Sequence, residues 1–488
     1  MSDHRKIKPE EFNLVLIGFV DCGKSTLGGQ LVRKIKPQVY EQLKRQCELY
    51  QQGQQAIFQR FGIQSWMGNR NHFHISSLML DSPTQAEREI STDVNAKHVI
   101  ELSACQFRII DTPGHGDFIK KTIQGISMGN VCLMVVSASD GEFEAGFHRE
   151  NLSFSYKQQL IYSKVAGIER FIVCVNKMDC VKYSEKRFLE IKTSIGKLIK
   201  TVGIKQEIPF IPICGECGDN VFERSENMKW YCGKTLTETL NNMETNFQRT
   251  VEECLREPLR IAIFKPKLPN GILAGYIISG MVKVGMTVQI PRVHSGELIN
   301  VRVKNIQISH TNKERAFSNS LVGIEFDNLP PTKTGYIISD PYFSPCKAAS
   351  RFIAQISIIN TPKPSIRAGY APIVHCGLAF ANTKFEKLIG ILNPTDSSII
   401  IEENPSCLEI GDVALVELAP TVPLFVDSYN DCNKLGRIII RDGRATIAVG
   451  TIVKVNYRRN QFTLFPNKFN YIVKSPHPFT DLSIINRK

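Results

Sequence analysis

The sequence predicts an α/β domain with a mostly parallel sheet, followed by two β-barrel domains. Three observations carry this expectation. Short apolar runs alternate with helical periodicity up to about residue 245. Helical periodicity then largely disappears near residue 257, and short alternating runs with turn signals take over. A second β series begins near residue 348, beyond YFSPCK at 342–347, which reads as a joint. The expected divisions are residues 1–245, 256–344, 346–458 and a C-terminal extension at 459–488.

The elements follow in order. Residues 13–17 (NLVLI) stop at Gly18, a glycine-flanked turn follows, and 25–35 reads as an amphipathic helix. Further strand-like runs are 107–110, ending at Asp111, then 131–136, then 171–175, ending at Asn176, then 210–213. A helical pattern fills 184–202. Continuous apolar runs of this kind suit parallel strands buried on both faces. Polar residues stand just after the strand ends, where such sheets bind ligands. The β half contains RIAIFKP, AGYIISGMVKVGMTVQIP and INVRVKNIQIS, then RFIAQISII, APIVHCGLAF, DVALVELA, LGRIIIRD and TIAVGTIVKV. No strict internal repeat or low-complexity tract interrupts them.

The 488 residues are 42% hydrophobic and 22% charged, a globular composition with ample core. No apolar run reaches ~18 residues, so no membrane span is expected. The start, MSDHRKIKPEEF, has no apolar signal core, which leaves a cytoplasmic location as the expectation. The net charge of +13 fits a polyanionic partner, nucleic acid first, or a plain basic surface. The 14 cysteines are scattered and read as reduced thiols.

Three motifs carry chemistry. GFVDCGKS at 18–25 fits G-x4-G-K-[ST] between a strand and a helix. Its backbone N–H groups and the helix N-terminus suit phosphate oxygens, Lys24 reaches the β and γ phosphates, and Ser25 can ligate Mg²⁺. NKMD at 176–179 follows another strand. Asp179 can accept from guanine N1–H and the N2 amino group, and adenine leaves that carboxylate mismatched. Asn176 can bridge this loop to the phosphate loop, and the Lys177 stem can lie over the base. DTPGH at 111–115 lies between them. Asp111 can hold Mg²⁺ through water, the Gly114 N–H can sense the γ-phosphate, and His115 is placed to orient an attacking water. A lone histidine is more often structural; its position directly after the γ-phosphate sensor favours catalysis. Together they predict a P-loop GTPase domain.

The three motifs together resemble the translational GTPases. GEFEAG at 141–146 narrows this to the elongation factor 1-alpha branch, which also holds release and ribosome-rescue GTPases. GDNVFERSENMKW at 218–230, RAGYAPIVHC at 367–376 and LGRIIIRDGRATIAVG at 435–450 look like the same branch. The resemblance covers nearly the whole chain. It implies a G domain with two β-barrels, GTP/GDP and Mg²⁺ as ligands, and ribosome-stimulated GTP hydrolysis, slow without that partner. It further implies delivery of aminoacyl-tRNA to the ribosome, a guanine nucleotide exchange factor, and a monomer. The nucleotide residues it implies are Gly18, Asp21, Cys22, Gly23, Lys24, Ser25, Thr26, Asp111, Gly114, Asn176, Lys177, Asp179, Cys214, Gly215 and Glu216. His115 is the catalytic residue it implies, and Ser25, Thr92 and Asp111 are the Mg²⁺ residues. Thr92 matches the switch I threonine, although the glycine-isoleucine before it is missing from EREISTD, and Ser91 is a possible substitute.

Several places depart from the family. Phe19 stands for a histidine, Gly116 for an arginine, and YKQQL at 156–160 for a glutamine-threonine-arginine-glutamate-histidine stretch. These positions are expected on surfaces that meet exchange factor, ribosome or tRNA. Cys22, near a helix N-terminus, could be a low-pKa, redox-sensitive thiol, but is read in preference as a small stand-in for serine. Cys214 and Cys217 form a CxxC without a second pair, and are read as loop residues of the guanine site rather than a zinc or redox motif. The 38–80 segment is longer than the family pattern. Its mixed basic and aromatic residues suit either single-stranded nucleic acid or a self-packing insert. In the second domain His310 is retained, but Thr311 replaces the acidic residue of the pocket for the tRNA's amino-acid end. The aromatic tail from Arg458 is expected to dock on the body or a partner. Two rival functions remain. One is a release- or rescue-type GTPase, against which the dozen residues before the first strand weigh, because such factors usually bear long N-terminal extensions. The other is a nucleotide-bound scaffold without catalysis, which Lys24, Asp111, His115 and Asp179 oppose.

Overall fold

In the computed structural model, residues 12–38, 40–42, 45, 79, 93–96, 98–103, 105–147, 155–243, 251–268, 271–309, 311–361 and 365–457 are described. The expectations for Ser91 and Thr92, His310, most of the 38–80 insert and the tail from Arg458 lie outside them.

The first domain is built on a six-stranded sheet. Its strands are β1 (Phe12–Gly18), β2 (Val99–Glu101), β3 (Gln106–Asp111), β4 (Val131–Ser137), β5 (Arg170–Asn176) and β6 (Phe210–Pro212), ordered β2-β3-β1-β4-β5-β6. All pairings are parallel except β2 with β3. The edge strand β2 was not foreseen, since three residues are too few to show a period. Every position of β1 and β4 is buried, as the unbroken apolar runs require. Leu14, Leu16, Leu133 and Ile172 face one core cluster, and Val15, Ile17, Cys132 and Val173 the other. Alternate side chains thus bury against helices on both faces, each buried aliphatic residue contributing about 1.5–3 kcal/mol.

The helices are α1 (Lys24–Ile35), α2 (Ile119–Ser127), α3 (Glu142–Phe147), α4 (Tyr156–Val165), α5 (Glu185–Thr201), α6 (Leu236–Asn241) and α7 (Val251–Arg256). Ser184 caps α5 by accepting from the Arg187 N–H, and Thr235 with Glu238 forms a capping box at α6.

Two closed six-strand antiparallel barrels follow. The first comprises β7 (Arg260–Lys265), β8 (Leu273–Ser279), β10 (Thr287–Pro291), β11 (Leu298–Ile308), β14 (Leu321–Phe326) and β15 (Ile337–Ser339). Short flanking pieces are β9 (Met281–Lys283), β12 (Thr311–Lys313) and β13 (Arg315–Phe317). The second comprises β16 (Ala349–Ile358), β17 (Ile373–Cys376), β18 (Ala379–Leu392), β20 (Val413–Pro420), β21 (Arg437–Asp442) and β22 (Ala445–Tyr457), with β19 (Ile400–Glu403) on the β18 edge. The β10–β11 and β17–β18 pairings close them and so remove free sheet edges.

Specific contacts lock the three domains. Arg260 and Asp427, both almost fully buried, form a 2.7 Å ion pair between the barrels. Gln124 of α2 donates to the Leu378 carbonyl at 2.8 Å, and the Tyr162 and Thr446 hydroxyls meet at 2.7 Å. Arg108 of β3 donates to the Ser309 hydroxyl at 3.0 Å.

Candidate nucleotide-binding site

The loop after β1 is shaped by residues with positive φ. Asp21 (φ 60°) and Gly23 (φ 90°) turn the chain tightly into α1. A Cβ at Gly23 would collide with the Asn176 amide nitrogen, so only glycine fits. Gly23, having no side chain, leaves the first N–H groups of α1 uncapped, which suits an anion at the positive end of the helix. Lys24 is buried, and its ammonium donates to the carbonyls of Phe19 at 2.8 Å and Gly18 at 3.1 Å. The cation is therefore held over the loop. The loop's own amide is anchored from behind, where Gly18 N–H donates to Gln159 Oε1 of α4 at 2.7 Å.

The second and third motifs meet this loop. Ser25 Oγ donates to the fully buried Asp111 at 2.6 Å. Two hard oxygen donors thus stand together at the base of the phosphate loop, a set that fits Mg²⁺. A Cβ built on Gly114 would sit 2.5 Å from the Lys24 ammonium, which places that backbone beside the lysine. His115 is about half exposed; its Nδ1 accepts from the Asp117 N–H at 3.2 Å, and Asp117 in turn pairs with Arg444 of the second barrel.

At the end of β5, the Asn176 amide donates to the Cys22 carbonyl at 2.9 Å and accepts from the Gly215 N–H at 2.7 Å. It ties its own loop to the phosphate loop, the expected bridge, and reaches the loop after β6 as well. Lys177 (φ 62°) pairs with Glu142 of α3 at 2.8 Å, so the GEFEAG glutamate holds this lysine. Asp179 is exposed beside Cys180. Cys214 and Gly215 are buried; Glu216 and Asp21 are exposed, and Thr26 is half-buried. The four segments therefore converge at the C-terminal ends of β1, β3, β5 and β6.

One alternative is decided and one expectation is corrected. Cys22 is not an activated thiol: burial pushes its pKa up, outweighing the nearby Lys24 ammonium at 3.8 Å. It serves as a small core residue under the loop. Four of the five YKQQL residues are buried in the chain's own core, not on the expected surface; only Lys157 is half-buried. Tyr156 and Gln159 are fully buried, and the Phe19 ring packs edge-on against Tyr156 at 6.4 Å. Two departures from the family thus pack against each other. Sequence reasoning missed three further features: Gln159 behind Gly18, Glu142 on Lys177, and Asp219 beside the CxxC pair. The spacing of any one motif carries no signal for the first two. The third was within reach, since Asp219 follows Cys217 by two residues.

The chain is similar to known proteins along most of its length. The family model described as Elongation factor Tu GTP binding domain matches residues 10–257, and GTP-eEF1A C-terminal domain-like matches residues 351–453. Elongation factor 1-alpha 2 of Euplotes crassus is 34% identical over 453 residues, covering 92% of this chain and 97% of that protein. Elongation factor 1-alpha of Blastocystis hominis is 34% identical over 455 residues, covering 92% and 98%. The GTP-bound S. cerevisiae Ski7 GTPase-like domain shares the fold, with a TM-score of 0.69 at 19% identity over 91% of this chain and 97% of that one. The chain is a GTP-binding translation GTPase and belongs to the elongation factor 1-alpha family.

Proposed function

We propose that this chain is an elongation factor that delivers aminoacyl-tRNA to the ribosomal A site and hydrolyses GTP on codon recognition. The observation that supports it best is the convergence of Lys24, the Ser25–Asp111 pair and the Asn176 bridge on one loop. In this reading the Gly18–Thr26 backbone and Lys24 bind the phosphates. Asp179 reads guanine, with Cys214, Gly215 and Glu216 forming the other wall of the base pocket. Ser25, Asp111 and Thr92 hold Mg²⁺, which when bound neutralises charge developing on the phosphoryl oxygens. Gly114 senses the γ-phosphate, and loss of that phosphate releases the switch segments and the tRNA. His115 orients the attacking water once the ribosome completes the site. An exchange factor then replaces GDP by GTP on a monomeric, cytoplasmic protein.

The test is protection of the aminoacyl ester against hydrolysis. Protection with GTP and none with GDP is the expected result. The exposed Thr311, standing where the family has an acidic residue, favours a second reading, a release- or rescue-type GTPase that carries a protein instead of tRNA. Absence of protection under either nucleotide rejects delivery and leaves that reading.

A further inference from the structure

The loop after β6 brings together three side chains, of which the nucleotide reading uses only Cys214. The Cys214 and Cys217 sulfurs and an Asp219 carboxylate oxygen all lie within 4.8 Å of one another. The loop holds them there through its own backbone. Gly218 N–H donates to the Cys214 carbonyl at 2.8 Å, Cys214 N–H donates to the Asp219 carbonyl at 3.2 Å, and Cys217 N–H donates to the Cys214 sulfur at 3.3 Å. Gly218 has φ 90°, a turn that a side-chain-bearing residue adopts only with strain. Cys214 is buried, Asp219 is half-buried and Cys217 is exposed, so the group has a closed floor and an open mouth.

We propose that Cys214, Cys217 and Asp219 form a binding site for a zinc-class divalent cation, whose occupancy alters guanine nucleotide binding. Two thiols alone would serve a disulfide equally well. The carboxylate has no place in a disulfide, and it completes three of the four positions of a tetrahedral zinc site. Two sulfurs with one carboxylate select a borderline or soft ion over Mg²⁺ or Ca²⁺. Water or a ligand atom takes the open fourth position. Coupling to nucleotide rests on the guanine-site reading above. Next to Cys214, the Gly215 N–H donates to Asn176, which also holds the Cys22 carbonyl of the phosphate loop. Drawing Cys214 and Asp219 onto an ion pulls directly on that chain of contacts.

The experiment uses the full reduced chain stripped of metal. Co²⁺ is the spectroscopic probe, because thiolate ligation produces charge-transfer absorption, and Zn²⁺ is titrated against a chromophoric chelator. One ion per chain is expected, with affinity reduced by about tenfold or more in both Cys217→Ser and Asp219→Asn. Thermal melting of the metal-free variants checks that both fold. Release of a fluorescent GDP analogue is then followed with and without Zn²⁺. A changed release rate in the wild type and an unchanged one in Cys217→Ser support the coupling. No stoichiometric thiolate–Co²⁺ absorption, or absorption indifferent to both substitutions, overturns the site. Stoichiometric metal binding that leaves GDP release unaltered overturns the coupling. Failure to bind GDP at all would instead reject the guanine-site reading, and the metal titration reads independently of it.

Discussion

Ser25 Oγ lies 2.6 Å from Asp111 Oδ2, joining the first turn of α1 to the end of β3 across 86 residues of sequence. The carboxylate is fully buried, so removal of its hydroxyl partner strips a charge-assisted hydrogen bond from a buried group. Such a bond is worth about 1.5–3 kcal/mol. Ser25→Ala is therefore expected to weaken Mg²⁺-dependent GTP binding by roughly ten- to a hundredfold. Titration of a fluorescent GTP analogue with Mg²⁺ and with EDTA checks it. An equal loss under both conditions would place the serine's role elsewhere.

Asn176 pairs with both the Cys22 carbonyl and the Gly215 N–H. Asn176→Ala leaves two buried backbone groups without this partner, at about 1–3 kcal/mol each. The expected outcome is a lower melting temperature together with faster GDP release, because both walls of the nucleotide site loosen. Differential scanning fluorimetry and stopped-flow release measure the two effects on one sample.

In the proposed function, Asp179 sets base choice by accepting two hydrogen bonds from guanine. Asp179→Asn presents one acceptor and one donor, the complement of xanthine's N1–H and C2 carbonyl. A shift in preference from GDP to xanthosine diphosphate is expected in competition binding. Equal loss of both nucleotides would speak against Asp179 as the base-reading residue.

His375 supplies a pH dependence. It is buried on β17, and neither ring nitrogen has a hydrogen-bond partner among the described residues. Burial, with Arg441 and Lys120 adding to it, lowers its pKa from 6.5 to about 3. The folded state thus refuses a proton that the unfolded chain accepts. Its contribution to stability is present above about pH 6.5 and is lost as pH falls toward 3, at up to about 1.4 kcal/mol per pH unit. His375→Phe is expected to flatten the urea-unfolding midpoint between about pH 6 and 4 relative to wild type. Parallel slopes for the two proteins would refute this.

How much the sequence revealed depends on how far apart the partners are. GFVDCGKS, DTPGH and NKMD were legible because each groups its chemistry-bearing residues within a few neighbouring positions at a strand end. The alternation of strands with helices, and its end near residue 257, gave away the architecture because periodicity is a local property. What stayed hidden is pairwise and remote. Gln159 supports Gly18 across 141 residues, and Glu142 holds Lys177 across 35. Phe19 and the YKQQL segment read as separate surface departures until their packing against each other showed one buried contact. Cys22 kept two readings open in sequence because its place near a helix N-terminus is visible there, whereas its burial, which decides for the small stand-in, is not.

The most direct test of the delivery reading is GTP turnover on programmed ribosomes with aminoacyl-tRNA, comparing wild type with His115→Ala. Wild type should show slow intrinsic hydrolysis strongly stimulated by ribosomes. The variant should keep its GTP affinity and lose roughly 10²- to 10⁴-fold of the stimulated rate. Stimulated turnover of equal rate in the two proteins would contradict the role given to His115, and absence of stimulation in the wild type would contradict delivery itself.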